Sequence, residues 1–227
     1  MFIKGIQKVT LLDYPGKVAC TFFTAGCNMR CPFCQNASLV THIDEERIAE
    51  EEALDFLKER VGKLDAVCIS GGEPCVQPDL KSFLRKVKEL GFLIKLDTNG
   101  TKPLVVQELV HEGLIDYVAM DVKNVWEKYS LTSGSTGFVD EIKQTITFLK
   151  ESGLPHEFRT TVVREFHTKE VLVSLAKILA PSNFYLQQFR LSDDVINPNL
   201  HAYEKEEMQE ILDACQQVSS HVFLRGI

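Results

Sequence analysis

The chain has 227 residues, 44% hydrophobic and 25% charged, an ordinary globular composition with enough length for a full core in one domain, residues 1–227. Its net charge of −7 argues against a broad nucleic-acid surface or an anionic-membrane surface, and no apolar stretch approaches a bilayer span. Met1 to Thr10 carries lysines without the sustained apolar run of a secretory signal, and seven cysteines, three of them clustered, make a poor disulfide framework and suit a reducing cytoplasm.

Short apolar, β-branched runs alternate with helix-patterned segments along the whole chain. Val18–Thr24 reads as a strand. Asp44 is placed to cap a helix running to about Arg60, with Ile48, Leu54 and Leu57 on its apolar face. Ala66–Ser70 is the next strand, with a helix near Pro78–Leu90. Leu93–Asp97 precedes a helix near Pro103–Glu112, and Tyr117–Val122 precedes one near Val139–Glu151. Glu157–Val163 precedes a helix near Lys169–Ala180, and Phe184–Phe189 precedes one near Ala202–Val218. Val222–Leu224 reads as one more short strand.

Successive βα units imply parallel strands joined by right-handed crossovers. The strands read as continuously apolar, as buried parallel strands should. Gly91, Gly113 and Gly153 follow predicted helices, where a left-handed terminating residue is wanted. A closed eight-stranded barrel usually needs about 250 residues, so the expected fold is α/β, a partial (β/α)6 barrel of parallel strands. A doubly wound sheet is the alternative, but no G-x-G-x-x-G follows the first strand.

The unusual residues gather where such a barrel does its chemistry, at the C-terminal ends of strands. The first strand runs into Cys27-Asn-Met-Arg-Cys31-Pro-Phe-Cys34, three thiols in C-x3-C-x2-C spacing. A [4Fe-4S] cube takes four thiolates, so three leave one iron open to a small molecule. A structural zinc site is the competing reading, with His42 the nearest fourth ligand. Later strands end in Gly71-Gly72-Glu73-Pro74, Asp97-Thr98-Asn99-Gly100 and Asp121-Val122-Lys123, while Arg159, Gln187, Gln188 and Arg190 lie on the last two long strands. Two glycines let backbone approach a ligand, or simply make a tight turn.

The cysteine spacing with the Gly-Gly-Glu segment resembles the radical S-adenosylmethionine (SAM) enzymes. Leu11-Leu12-Asp13-Tyr14-Pro15-Gly16, Asp97-Thr98-Asn99-Gly100 and Asp121-Val122-Lys123 resemble, more narrowly, their glycyl-radical-enzyme activases. With no cysteine-rich insert after Cys34, the chain is most similar to the activators of anaerobic ribonucleotide reductase. The resemblance implies that Cys27, Cys31 and Cys34 hold a [4Fe-4S] cluster whose open iron chelates SAM. An electron from flavodoxin or ferredoxin would cleave SAM to a 5'-deoxyadenosyl radical, which takes a Cα hydrogen from a glycine of a partner glycyl radical enzyme. It further implies that Phe33 lies beside the adenine, and that Gly71, Gly72, Glu73, Asp97, Asn99, Lys123 and Arg159 bind SAM. Asp97, Thr98 and Asp121 match a monovalent-cation site, and Asp13 matches a contact to the substrate glycine loop, though Asp-Tyr-Pro-Gly is equally a plain turn.

Many activases carry a histidine at the end of the Phe184–Phe189 strand; here Gln188 or Arg190 is the candidate substitute, and His201 is not assigned that role. Cys75 reads as a small packed residue, like Cys20, Cys68 and Cys215. The remaining histidines read as surface or helix-end residues. Two alternatives differ in class: a radical SAM enzyme acting on a small molecule, such as a 7-carboxy-7-deazaguanine synthase-like protein, and a non-catalytic zinc-stabilised interaction module.

Overall fold

The computed structural model describes residues 1–41 and 47–227. Eight strands form one sheet in chain order: β1 (Ile3–Thr10), β2 (Ala19–Thr24), β3 (Ala66–Gly71), β4 (Leu93–Thr98), β5 (Tyr117–Asp121), β6 (His156–Val162), β7 (Phe184–Gln188) and β8 (Val222–Arg225). β1 pairs antiparallel with β2, and every later pair is parallel. The connecting helices are α1 (Ala37–Thr41), α2 (Glu50–Lys58), α3 (Leu80–Glu89), α4 (Pro103–His111), α5 (Tyr129–Ser133), α6 (Val139–Glu151), α7 (Lys169–Leu179) and α8 (Lys205–Gln216). β2 to β7 thus supply the six expected βα units, and β1 and β8 stand at the two edges of a partial barrel. Among the described residues no helix is long and apolar enough to cross a membrane.

Strand residues alternate between two faces. Phe22, Ile69, Leu96, Met120, Phe158 and Leu186 face the helices and join Leu57, Phe83, Leu109, Leu149, Leu175 and Ile211 in the main core. The other face lines the barrel interior. There the expectation of continuously apolar strands fails: β2 and β3 turn Thr21 and Ser70 inward, and β4 to β7 turn Lys95, Asp97, Asp121, Glu157, Arg159 and Gln187 inward. An open barrel with a ligand cavity can keep charges inside because they pair, as Glu157 and Arg225 do at 2.6 Å. A separate apolar plug of Tyr14, Ala19, Ala66 and Cys68 closes the end where the strands start.

Several expectations change at element ends. β1 was not expected; its lysines and glutamine suit an edge strand, which has one unpaired side. Ile48 is not helical but forms an antiparallel bridge with Ile3. α2 starts only at Glu50, with Glu50, Glu51 and Glu52 complementing its N-terminal dipole, and Asp44 and His42 lie outside the described residues. α8 starts at Lys205, not Ala202, because the Glu207 carboxylate accepts from the Glu204 backbone NH at 2.8 Å and sets the first turn there. Gly91, Gly113 and Gly153 end their helices with positive φ, as expected.

Candidate active site

The cysteine segment has no regular structure, yet backbone hydrogen bonds hold it from several sides. Gly26 NH donates to Leu39 O at 2.8 Å in α1, and Gly26 O accepts from Glu73 NH at 2.8 Å beyond β3. Arg30 NH donates to Ser133 O at 3.0 Å, and Pro32 O accepts from Asn197 NH at 2.8 Å. Gly134 ends α5 at φ +64°, and a Cβ there would lie 2.0 Å from Arg30 O, so only glycine lets α5 press on this loop.

Cys27, Cys31 and Cys34 line one wall of a cavity of about 260 Å³ at the strand ends. All seven cysteines are free thiols. Cys27 Sγ accepts from Met29 NH at 3.4 Å and from Asn99 Nδ2 at 3.9 Å. Burial pushes the Cys31 thiol up to about 12 and raises Cys27 as well, while the Lys123 ammonium works in the opposite direction at both. Among the described residues no three His, Cys, Asp or Glu side chains stand as a set for a single metal ion.

Gly71 and Gly72 border the cavity, and the protein itself demands both. A Cβ on Gly71, at φ +110°, would lie 2.4 Å from Thr24 N, and one on Gly72 would lie 2.0 Å from Gly26 O. The two glycines therefore let the end of β3 pack against the start of the cysteine loop. Glu73 is 1% exposed. Its Oε1 accepts from Cys75 NH at 3.0 Å and Thr98 Oγ1 at 2.7 Å, and its Oε2 from Asn99 NH at 2.6 Å. Burial raises its pKa, and these donors oppose the rise. Glu73 thereby ties the end of β3 to the end of β4.

Opposite the thiols runs a chain of alternating charges. Lys95 Nζ donates to Asp97 Oδ1 at 2.5 Å; Asp97 Oδ2 accepts from Ser70 Oγ at 2.9 Å and Arg159 Nη1 at 3.3 Å. Arg159 Nε donates to Asp121 Oδ1 at 2.8 Å, and Lys123 Nζ to Asp121 Oδ2 at 3.0 Å. Burial works against both carboxylates, but Arg159, with Lys95 at Asp97 and Lys123 at Asp121, holds both below the usual carboxylate range. Lys123 thus pairs with Asp121. Asp97, Thr98 and Asp121, the expected cation set, all line the cavity, but the Thr98 side chain leaves β4 on the other side from Asp97. There its hydroxyl donates to Glu73 and accepts from Gly100 NH at 3.1 Å.

Phe33 is buried on the cavity wall, with Phe166 at 6.2 Å, His167 at 6.5 Å and Lys123 Nζ 5.9 Å from its ring centroid. His167 is fully buried, not at a surface. Its Nδ1 accepts from Val163 NH at 3.0 Å, so Nε2 carries the proton and donates to Lys123 O at 2.8 Å. His201 pairs with Glu165 on the surface.

The fold does not bring Asp13 to the cavity. Its Oδ2 accepts from Thr21 Oγ1 at 2.5 Å, beside the plug that holds Tyr14. Gln188 and Arg190 are not the site's glutamine and arginine either. Gln188 Nε2 donates to Tyr203 O at 2.8 Å on the helix side, and exposed Arg190 donates to Gly226 O at 2.6 Å. Strand alternation instead sends Gln187 and Thr161 into the cavity. Those two, with Ser70 and Lys95, were missed; period-2 counting from Asp97 and Arg159 would have found Lys95 and Thr161. Cys75 is buried in the core, as expected.

Comparison with known proteins meets this geometry. The Radical SAM superfamily pattern matches residues 21–178. The Methanocaldococcus jannaschii protein named "Putative glycyl-radical enzyme activating enzyme MJ1227" is 34% identical over 99% of this chain and 96% of its own length. The pyruvate formate-lyase-activating enzyme of Clostridium pasteurianum is 29% identical over 78% of this chain and 75% of its own. In fold, the chain is similar to Streptococcus suis SuiB crystallised with SAM, at a TM-score of 0.72 and 15% identity, covering 88% of this chain and 48% of SuiB. With a family match from within β2 to within α7 and a relative alike from end to end, this chain belongs to the radical SAM superfamily.

Proposed function

We propose that this chain is a radical SAM activase that removes a Cα hydrogen from a glycine of a partner glycyl radical enzyme, an anaerobic ribonucleotide reductase. The observation that carries the reading is the convergence of three thiols with Asp97, Arg159, Asp121 and Lys123 on one cavity, in a chain that is alike over nearly its whole length to a protein named for glycyl-radical enzyme activation. The ribonucleotide reductase assignment rests on the short segment between Cys34 and α2, which has no cysteine insert.

The donor set suits the cofactors the family implies. Soft thiols favour an iron–sulfur cluster, and the NH groups of Met29 and Asn99 aimed at Cys27 Sγ would stabilise a thiolate there. Cluster binding would exchange the thiol protons for iron, which offsets the burial that raises Cys27 and Cys31. The cluster and SAM, when bound, supply a 5'-deoxyadenosyl radical at the expense of one electron from a donor such as flavodoxin or ferredoxin. This chain's residues bind and orient. Arg159 and Lys123 offer the charge to hold the SAM carboxylate. The Gly71–Gly72 backbone and Asn99 flank its methionine end, with Glu73 fixing their positions from beneath. Phe33 presents a ring for the adenine, and Gln187 and Thr161 offer polar contacts in place of the absent histidine. The open side between β1 and β8 would admit a protein loop. The chain acts here as a single radical SAM domain, and its free thiols suit the cytoplasm.

Anaerobic reconstitution with iron and sulfide, followed by EPR of the dithionite-reduced protein with and without SAM, tests the cofactor reading. The expected result is a reduced [4Fe-4S] signal that shifts on adding SAM, with 5'-deoxyadenosine formed. A glycyl-radical doublet on added anaerobic ribonucleotide reductase supports the partner. A protein that binds zinc, assembles no cluster and leaves SAM intact overturns the reading.

A further inference from the structure

We propose that Lys95 is a built-in cation of this site, standing where a bound monovalent cation would otherwise balance Asp97, so that SAM binding here needs neither K⁺ nor Na⁺. The inference rests on the reading that SAM binds in this cavity. Lys95 lies two residues before Asp97 on β4, so both side chains leave the same strand face into the barrel. Its four-carbon stem carries the ammonium up the strand to Asp97 Oδ1, and the side chain is 2% exposed. Among the described residues, every carboxylate oxygen of Asp97 and Asp121 already accepts a hydrogen bond from Lys95, Ser70, Arg159 or Lys123.

The pairing within the charge chain argues against a further cation beside Asp97. Along the chain, Lys95, Arg159 and Lys123 meet two carboxylates, one positive charge in excess, while Glu73, the third carboxylate on the cavity wall, is held by the neutral donors Cys75 NH, Thr98 Oγ1 and Asn99 NH. That excess favours an incoming carboxylate, such as that of an amino-acid ligand. A bound K⁺ would face three fixed cations, no carboxylate oxygen without a donor, and no Thr98 hydroxyl, which is engaged with Glu73 on the other strand face. Hard cations are held by several converging oxygens, and that set is not assembled here. The ammonium has the further advantage of being tethered, so it costs no binding equilibrium of its own.

The test compares the wild-type protein with Lys95→Ala in KCl, NaCl and choline chloride at equal ionic strength. SAM binding to the reconstituted protein is read by titration. Wild-type affinity is expected to agree within about twofold across the three salts, while Lys95→Ala binds about tenfold more weakly in choline chloride and recovers in KCl or NaCl. A merely structural lysine would show no such rescue by a free cation. Thermal unfolding of the same proteins, without SAM or cluster, forms a second arm. There the wild-type Tm should ignore the salt, and the variant's Tm should rise with K⁺ or Na⁺ over choline. Wild-type protein that needs K⁺ or Na⁺ to bind SAM, or is specifically stabilised by either, overturns the assignment. So does a Lys95→Ala protein indifferent to them. If the variant does not fold, the wild-type salt comparison decides alone. If SAM binds in no salt, the reading of the cavity is overturned, and the unfolding arm still decides the role of Lys95.

Discussion

Glu73 Oε2 accepts a hydrogen bond from the backbone NH of Asn99 at 2.6 Å, across the ends of β3 and β4. With Thr98 Oγ1 and Cys75 NH on the other oxygen, the carboxylate is surrounded by donors and buried. Glu73→Gln turns an amide NH₂ toward one of those donors. It should destabilise the fold by roughly 1–3 kcal/mol in urea unfolding, the cost of a buried polar group left unsatisfied. Because Asn99 and the Gly71–Gly72 backbone move with it, SAM affinity should fall as well. A variant as stable as wild type would show that Glu73 does not anchor the two strand ends.

The three cavity thiols separate from the other four by place: Cys27, Cys31 and Cys34 share the cavity wall, and the others are buried elsewhere. Cys27→Ala, Cys31→Ala and Cys34→Ala should each lose the cluster's visible absorption and iron content after reconstitution, with far-UV circular dichroism unchanged. Cys68→Ala and Cys75→Ala, buried away from that wall, should keep both. Iron retained in Cys31→Ala would break the assignment.

Steric demand distinguishes the glycines. Gly72→Ala forces a Cβ to 2.0 Å from Gly26 O, backbone against backbone, and should cost about 3 kcal/mol or more while displacing the cysteine loop. Gly153→Ala meets open space and bears only the positive-φ strain, about 1–2 kcal/mol. Equal losses in denaturant unfolding would contradict the close packing of the two loops.

Adjacent glutamines on β7 should behave oppositely. Gln187→Ala, on the cavity side, should raise KM for SAM with little change in stability. Gln188→Ala loses the bond to Tyr203 O and should cost about 1 kcal/mol with KM unchanged. A reversed pattern would mean that the register of β7 differs.

The charge chain predicts acid sensitivity. Asp97 and Asp121 have native pKa values below the usual carboxylate range, so the unfolded chain takes up these protons first as pH falls. Their contribution is fully present above the unfolded pKa, near pH 4, and is lost as pH drops toward the native values. The Tm gap between wild type and Asp121→Asn should therefore narrow below about pH 4. A gap that widens in acid would show that Arg159 and Lys123 do not stabilise the ionised Asp121.

By itself the sequence determined the βα order, the parallel strands and the gathering of chemistry at strand ends. Those are local properties: apolar runs, terminating glycines and the cysteine spacing act through near neighbours along the chain. It was nearly silent on β1, whose lysines and glutamine mask an edge strand that pairing with β2 alone defines. Tertiary structure decided which side of each strand faces the cavity. That choice exchanged Gln188 for Gln187, turned the Thr98 hydroxyl onto Glu73 and set Lys95 beneath Asp97. It also carried Asp13 to the strand starts, beneath the barrel, and buried His167 behind Lys123 and Phe33. Side-chain facing depends on register and on which surface the helices cover, and neither is set until the whole sheet is assembled.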